Sequence, residues 1–143
     1  MFENVLHEET KGLLRKIGSR LTQESFYLAG GTGLALQMGH RISEDFHFFR
    51  ETPFDPESLL SALRPRVSSV HDISIARGTP LARLEEVRCS FFFYKVPLLF
   101  EKVDFGEIEI AEWRDIVVEK MKTIAQRGSK KDFYDVYSAI ISG

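Results

Sequence analysis

Gly30-Gly31-Thr32-Gly33 follows the apolar run Phe26–Ala29 and precedes the helix-forming Leu34–Met38. A strand that enters a helix through glycines exposes backbone N–H groups at the positive end of the helix dipole. Glycine also lets an anion approach the backbone closely. The turn therefore suits a phosphate, with a plain tight turn as the alternative. It is not a Walker A loop, because no Gly-Lys-Ser/Thr follows. It is not a dinucleotide fingerprint either, because Leu36 occupies the third glycine position.

Asp45 and His47 share one face of an expected strand over 45–49, with Phe46 and Phe48 on the other. Two acidic residues at this spacing hold divalent ions in metal-dependent phosphoryl transfer. Imidazole at the second position is a poor ligand for Mg²⁺ but suits Mn²⁺ or Zn²⁺. A lone Asp and a lone His on a partly exposed sheet face are the alternative. Further along, Lys120 falls among the apolar positions of its helix, where a lysine must snorkel or find an anion. That anion is a phosphate or a neighbouring carboxylate, Asp132 or Asp135. Asp132 complements a helix N-terminus, and Asp135, one turn further in, either orients Lys120 or faces a cleft. Cys89, in an aromatic strand, reads as a buried inert thiol. His7, His40 and His71 show no metal-ligand spacing with one another, and the hydrolase elbow Gly-x-Ser-x-Gly is absent.

These residues need elements to hold them. Apolar spacing predicts a helix over 3–21, a strand at 26–29 and a short helix stopping near Gly39. Pro56 opens a helix, PESLLSALR. Strands are expected at 70–77 and 81–94, joined by Gly78-Thr79-Pro80, with Pro97 ending the second. Short strands near 101–104 and 107–110 flank Gly106. A helical period then starts at Glu112 and breaks at Arg127-Gly128-Ser129. Gly128 is expected to cap that helix, and Ser129 to open a last one over 130–141. This order gives an α+β class: a small mixed sheet with flanking helices.

Composition bounds the rest. The 143 residues suit a single domain, 1–143, and 43% hydrophobic with 28% charged is ordinary for a globular chain. No apolar run approaches the ~20 residues of a membrane helix, and the polar start is no signal peptide. One cysteine excludes an intrachain disulfide and favours a reducing, cytoplasmic setting. The 19 basic and 21 acidic residues exclude a strongly basic nucleic-acid coat but not a local patch. Arg114, Lys120, Lys122, Arg127, Lys130 and Lys131 fall in one stretch against only Asp115 and Glu119. The chain has room for a minimal core and two closing helices, so a large substrate calls for a second subunit or partner.

Two segments, taken together, resemble one family. FYLAGGTGLALQMGHRISEDFHFF is similar to a signature of Gly-Gly-Thr, about ten residues, then Arg-x-Ser-x-Asp-x-Asp-hydrophobic-Phe. DIVVEKMKTIAQRGSKKDFYDVY resembles a closing Asp-Ile-x-x-x-Lys…Arg-Gly-x-Lys-Lys-Asp-Phe-x-Asp block. Both occur in the AbiEii/AbiGii toxin family of nucleotidyltransferase-like proteins, which includes toxins of type IV toxin–antitoxin systems. The resemblance implies a polymerase-β-like nucleotidyltransferase fold, an NTP and a divalent metal, Mg²⁺ or Mn²⁺. It implies that Gly30, Gly31 and Thr32 hold the triphosphate and that Asp45 is the first metal ligand. Lys120 would meet nucleotide phosphate, Asp135 would stand in the cleft, and Arg41 and Ser43 would position the Asp strand.

The departures from the family pattern bear on activity. His47 replaces the second carboxylate. Overlaying the family's third-ligand strand on Val87–Phe92 puts Ser90 where the acid belongs; Asp104 is the rival position. An Asp, a neutral His and a Ser offer a charge of −1 where the family offers −3, and metal-assisted transfer depends on that charge. Three functions compete at this point. One is a nucleotidyltransferase acting on a hydroxyl of RNA, protein or a small molecule. Another is a degenerate relative that binds nucleotide, or an antitoxin or other protein, without chemistry. The third is an interaction module marked by exposed phenylalanines.

Overall fold

The computed structural model describes every residue except Gly128 and Gly143. The expected cap at Gly128 thus lies outside the described residues.

Helix α1 (Glu8–Gln23) buries Leu13, Leu14, Ile17 and Leu21 along one stripe. Its start differs from the expected helix over 3–21. Glu3–Val5 form a 3-10 turn, and Leu6 and His7 are extended before α1 begins. The reason is tertiary: Phe2 N–H bonds to the Leu36 carbonyl (2.8 Å) and the Val5 carbonyl accepts from Ser43 N–H (2.9 Å). Those backbone bonds and the burial of Val5 and Leu6 hold the segment out of helix.

Strand β1 (Tyr27–Ala29) runs straight into helix α2 (Gly30–Met38), so the glycines form the first turn of the helix itself. Gly39, in the left-handed region, closes α2. Strand β2 (Phe46–Arg50) follows, then helix α3 (Pro56–Leu63), capped by Asp55 accepting from Ser58 N–H at 2.9 Å. Strands β3 (Val70–Ala76), β4 (Thr79–Leu84) and β5 (Val87–Phe93) form a meander. Strands β6 (Val103–Phe105) and β7 (Ile108–Ile110) form a hairpin, and helices α4 (Trp113–Arg127) and α5 (Lys130–Ser142) complete the chain.

Two expectations about the meander are corrected. Residues 81–94 are not one strand: Glu85-Glu86 make a turn between β4 and β5, with Leu84 paired to Val87. Glu85 adopts φ 54°, and its carboxylate accepts from Ser68 N–H (3.0 Å) and Lys16 Nζ (2.7 Å). The turn is tethered by a side chain that reads as strand-compatible by period alone. The turn expected at Gly78-Thr79-Pro80 lies one residue earlier. Arg77 and Gly78 both have positive φ, 53° and 74°, which matches the twist of a two-residue hairpin. Pro80 sits inside β4, beyond the last residue paired to β5, where no N–H is needed.

Among the described residues, seven strands form one mixed sheet in the order β3-β4-β5-β2-β1-β7-β6. The pairs β2–β5 and β1–β7 are parallel, and the others are antiparallel. One face carries Phe46, Phe48, Ala82, Leu84, Cys89 and Phe91, all fully buried. Phe48 stacks on Phe91 with centroids 5.5 Å apart, and Phe26 meets both Phe91 and Phe54 edge-on. Burial pushes the Cys89 thiol far up, so it is inert at neutral pH. The opposite face carries His47 and Phe49 on β2 beside Ser90 and Phe92 on β5.

Phe91 and Phe93 share one face of β5, but burial is lost toward the strand's end, which makes a testable contrast. Phe91→Ala opens the core and is expected to cost about 3–5 kcal/mol. Phe93→Ala, half exposed, should change stability by no more than about 0.5 kcal/mol. Urea unfolding of the two variants measures both.

Candidate functional site

The glycine turn sits where two opposed requirements meet. Gly30 has φ +64°, and a Cβ there would lie 2.9 Å from the Cβ and Nδ1 of His47. Gly31 lies under a guanidinium: its missing Cβ would stand 2.1 Å from Arg41 Nη2 and 3.3 Å from Asp135 Oδ2. Glycine at 30 and 31 therefore makes room for two side chains as well as for a backbone conformation. Thr32 is buried. Its hydroxyl is bonded to the Ser43 hydroxyl (2.5 Å) and to the Asp45 carbonyl. It ties α2 to the segment that leads Asp45 and His47 into β2.

Asp135 is fully buried on the inner face of α5. Arg41 donates to it through Nε (2.8 Å, Oδ1) and Nη2 (3.0 Å, Oδ2). His40 Nε2 lies 2.6 Å from Oδ1, and Lys120 Nζ lies 2.9 Å from Oδ2. Burial alone would raise the carboxyl, but the hydrogen bonds from His40 and Arg41 and the Lys120 charge outweigh it. The group is held well below the usual carboxylate range. Lys120 is itself buried and donates a second bond to Asp132 Oδ1 at 2.9 Å. Asp132 also caps α5 reciprocally with Ser129: its carboxylate accepts from Ser129 Oγ (3.0 Å), and its own N–H donates to that hydroxyl (3.2 Å). Carboxylates thus meet the buried lysine that the helical spacing singled out.

Two adjoining cavities lie between this charge cluster and the sheet. The larger, about 420 Å³, is walled by Phe49, Phe92, Phe93 and Tyr94, with Glu119 and Thr123 of α4 opposite. The smaller, about 190 Å³, is lined by Gly31, Thr32, Arg41, Asp45, Lys131 and neighbours. His47, Lys120, Ser129 and Asp132 border both. Burial, then the nearby Lys120 charge, lowers the His47 pKa, so the ring is neutral at pH 7. Its ring meets Phe92 edge-on at 5.4 Å.

The sheet register brings His47 and Ser90 side by side as parallel partners on β2 and β5. Ser90 is buried and borders neither cavity. Asp104 is on the edge strand β6, three strands from β2. At about 4.8 Å per strand it is roughly 14 Å away and remote from Asp45. Among the described residues no cluster of three His, Cys, Asp or Glu side chains could hold a metal ion. The alternation His47–Phe49 and Ser90–Phe92–Tyr94 is the sequence signal for the aromatic wall. His40 carried no such signal, because its partner Asp135 is 95 residues away.

Known structures share this fold. JHP933 of Helicobacter pylori superposes with a TM-score of 0.63 at 20% identity, over 92% of this chain and 66% of that one. The polyadenylate synthase of Megavirus gives 0.63 at 12% identity, over 90% of this chain and 30% of that one. The fold is that of the polymerase-β-like nucleotidyltransferases. The chain belongs to the family of AbiEii nucleotidyl transferase toxins of type IV toxin–antitoxin systems, whose family profile matches residues 12–110. It is also 42% identical over 136 residues to an uncharacterized protein of Aquifex aeolicus (strain VF5). That match covers 92% of this chain but 66% of the relative, so the chain spans just under two thirds of that protein's length.

The depressed carboxyl makes a stability prediction with a defined sign. Asp135→Asn leaves Arg41 and Lys120 facing a neutral amide and is expected to cost about 3–5 kcal/mol at pH 7. The wild-type advantage is present above the unfolded-state pKa of about 3.9 and shrinks as pH falls below it. Chemical denaturation at pH 7, 5 and 3 should show a constant gap between the two proteins, then a narrowing one.

Proposed function

We propose that this domain binds a nucleoside triphosphate in the two-part cleft, and that metal-assisted nucleotidyl transfer is weakened in it. The observation that carries this reading is the pairing of His47 with Ser90 on adjoining strands. These are the positions where the resemblance to the family implies carboxylates.

The family generally uses an NTP and a divalent metal. Two Mg²⁺ ions want several oxygen ligands and strong negative charge, because Mg²⁺ gives up water reluctantly. Asp45, a neutral imidazole and a hydroxyl supply one carboxylate between them, and Ser90 borders neither cavity. This donor set does not fit a pair of hard divalent ions.

The remaining features suit binding. The aromatic walls of the larger cavity offer π-faces for a base, and stacking tolerates any base. The smaller cavity presents Arg41, Lys131 and the first turn of α2, where the helix dipole favours an anion. A phosphate reaching Lys120 would displace Asp132, which is partly exposed, rather than the fully buried Asp135. Arg41 and Asp135 then act as the rigid backing of the site. Family membership makes an antitoxin protein and an RNA acceptor the candidate partners and the cytoplasm the setting. Among the described residues no helix is long and apolar enough to cross a membrane.

Calorimetry with each NTP, in Mg²⁺ and in EDTA, tests the reading. Binding is expected in both, with little dependence on the metal. Phe92→Ala should weaken it about tenfold, within the ~1–3 kcal/mol of one base–aromatic stack. His47→Asp with Ser90→Asp should make binding Mg²⁺-dependent. Rapid transfer of label from an NTP to RNA by the wild-type protein in Mg²⁺ would overturn the weakened-transfer reading.

A further inference from the structure

Helix α5 is patterned inside out. Its inner face buries Asp135, Ser138 and Ala139. Phe133, Tyr134, Tyr137, Ile140 and Ile141 all point outward, from 47% exposed at Tyr134 to 73% at Ile140. At 100° per residue these five fall within an arc of about 120° centred on Tyr137, the width of a stripe that normally faces a core. Tyr134 has one polar tie, its hydroxyl donating to the His40 carbonyl at 3.3 Å. The other four each leave more than half of their surface exposed.

We propose that this stripe is the seat of a second copy of the chain, with the two α5 helices packed antiparallel about a twofold axis at Tyr137. The stripe is self-complementary in that arrangement. Aromatic side chains fill its first half and isoleucines its second, so Phe133 meets Ile141 of the other copy and Tyr134 meets Ile140. Twofold symmetry repeats each contact, as an isologous interface requires. Charge agrees as well. Lys130 is exposed at the N-terminal end of the same arc. There it meets the last turn of the opposing helix, where free carbonyls carry the negative end of the dipole. The five side chains expose roughly 500 Å² per copy, taking ~150–250 Å² for a whole aromatic side chain. Two copies then bury roughly 1,000 Å² in all, the size of a weak, reversible association rather than of an obligate dimer.

Sedimentation from low micromolar to submillimolar concentration provides the first test, and a reversible dimer is expected. Tyr137→Glu and Tyr137→Lys should each weaken association about thirtyfold or more, the size of a hot-spot loss. Leu99→Glu, an exposed apolar site elsewhere, should leave it unchanged. The decisive measurement mixes the two Tyr137 variants. A residue that faces itself across a twofold axis pairs Glu with Lys only in the heterodimer, so the mixture should regain association that neither variant has alone. Circular dichroism confirms that each variant is folded. A wild-type chain that stays monomeric at every concentration overturns the proposal and leaves the stripe to a different protein. A mixture that stays monomeric, or a Leu99→Glu variant that dissociates equally, overturns it too.

Discussion

Asp135 is the group on which the rest of the site depends. A carboxylate with no solvent exposure is costly unless its oxygens are satisfied by charged donors. Here Arg41 and Lys120 supply them, and His40 Nε2 adds a hydrogen bond. Those three residues come from the α2–β2 connection and from α4, while Asp135 belongs to α5. One buried anion therefore fixes the positions of three segments that period and propensity leave independent. Arg41 in turn needs a glycine beneath its guanidinium, and Gly31 supplies it. The glycine turn serves the ion cluster as much as it offers backbone to a ligand.

The sheet contributes by register. Parallel pairing of β2 with β5 sets His47 against Ser90 and Phe49 against Phe92 in successive rows. The first row is where the family resemblance implies metal ligands, and the second is the apolar wall of the larger cavity. The same strands thus carry a polar row and an aromatic row on one face and a phenylalanine core on the other. A shift of one residue in either strand would exchange these faces, and the buried Phe46, Phe48 and Phe91 prevent it.

Much of this was legible in the sequence. The glycines, the alternation at Asp45–Phe49 and the buried position of Lys120 follow from period and residue type alone. The order of helices and strands follows from the same signals. Less legible were features decided at a distance. His40 shows no spacing with any ligand, because its partner is 95 residues away. The break at Glu85 depends on Lys16 and Ser68, one of them on α1. The start of α1 depends on backbone bonds to Leu36 and Ser43. Likewise, the bonds of the Thr32 hydroxyl to Ser43 and to the Asp45 carbonyl reach eleven and thirteen residues along the chain. Tertiary partners overrule local preference in each case.

The pairing of β1 with β7 has a consequence for how the chain assembles. Leu28 lies beside Ile110 in parallel, so the second strand of this pair arrives more than eighty residues after the first. The β3–β4–β5 meander closes through short turns, but β1 keeps one open flank until most of the chain exists. Loop closure over such distances must precede the contacts that reward it, which places this fold among slow folders. On a ribosome, an emerging chain would hold a finished meander beside an apolar β1 with one edge bare, a species that invites mispairing. The late hairpin β6–β7 is therefore the step that commits the sheet, and only afterwards can α4 and α5 carry Lys120 and Asp135 into the cluster.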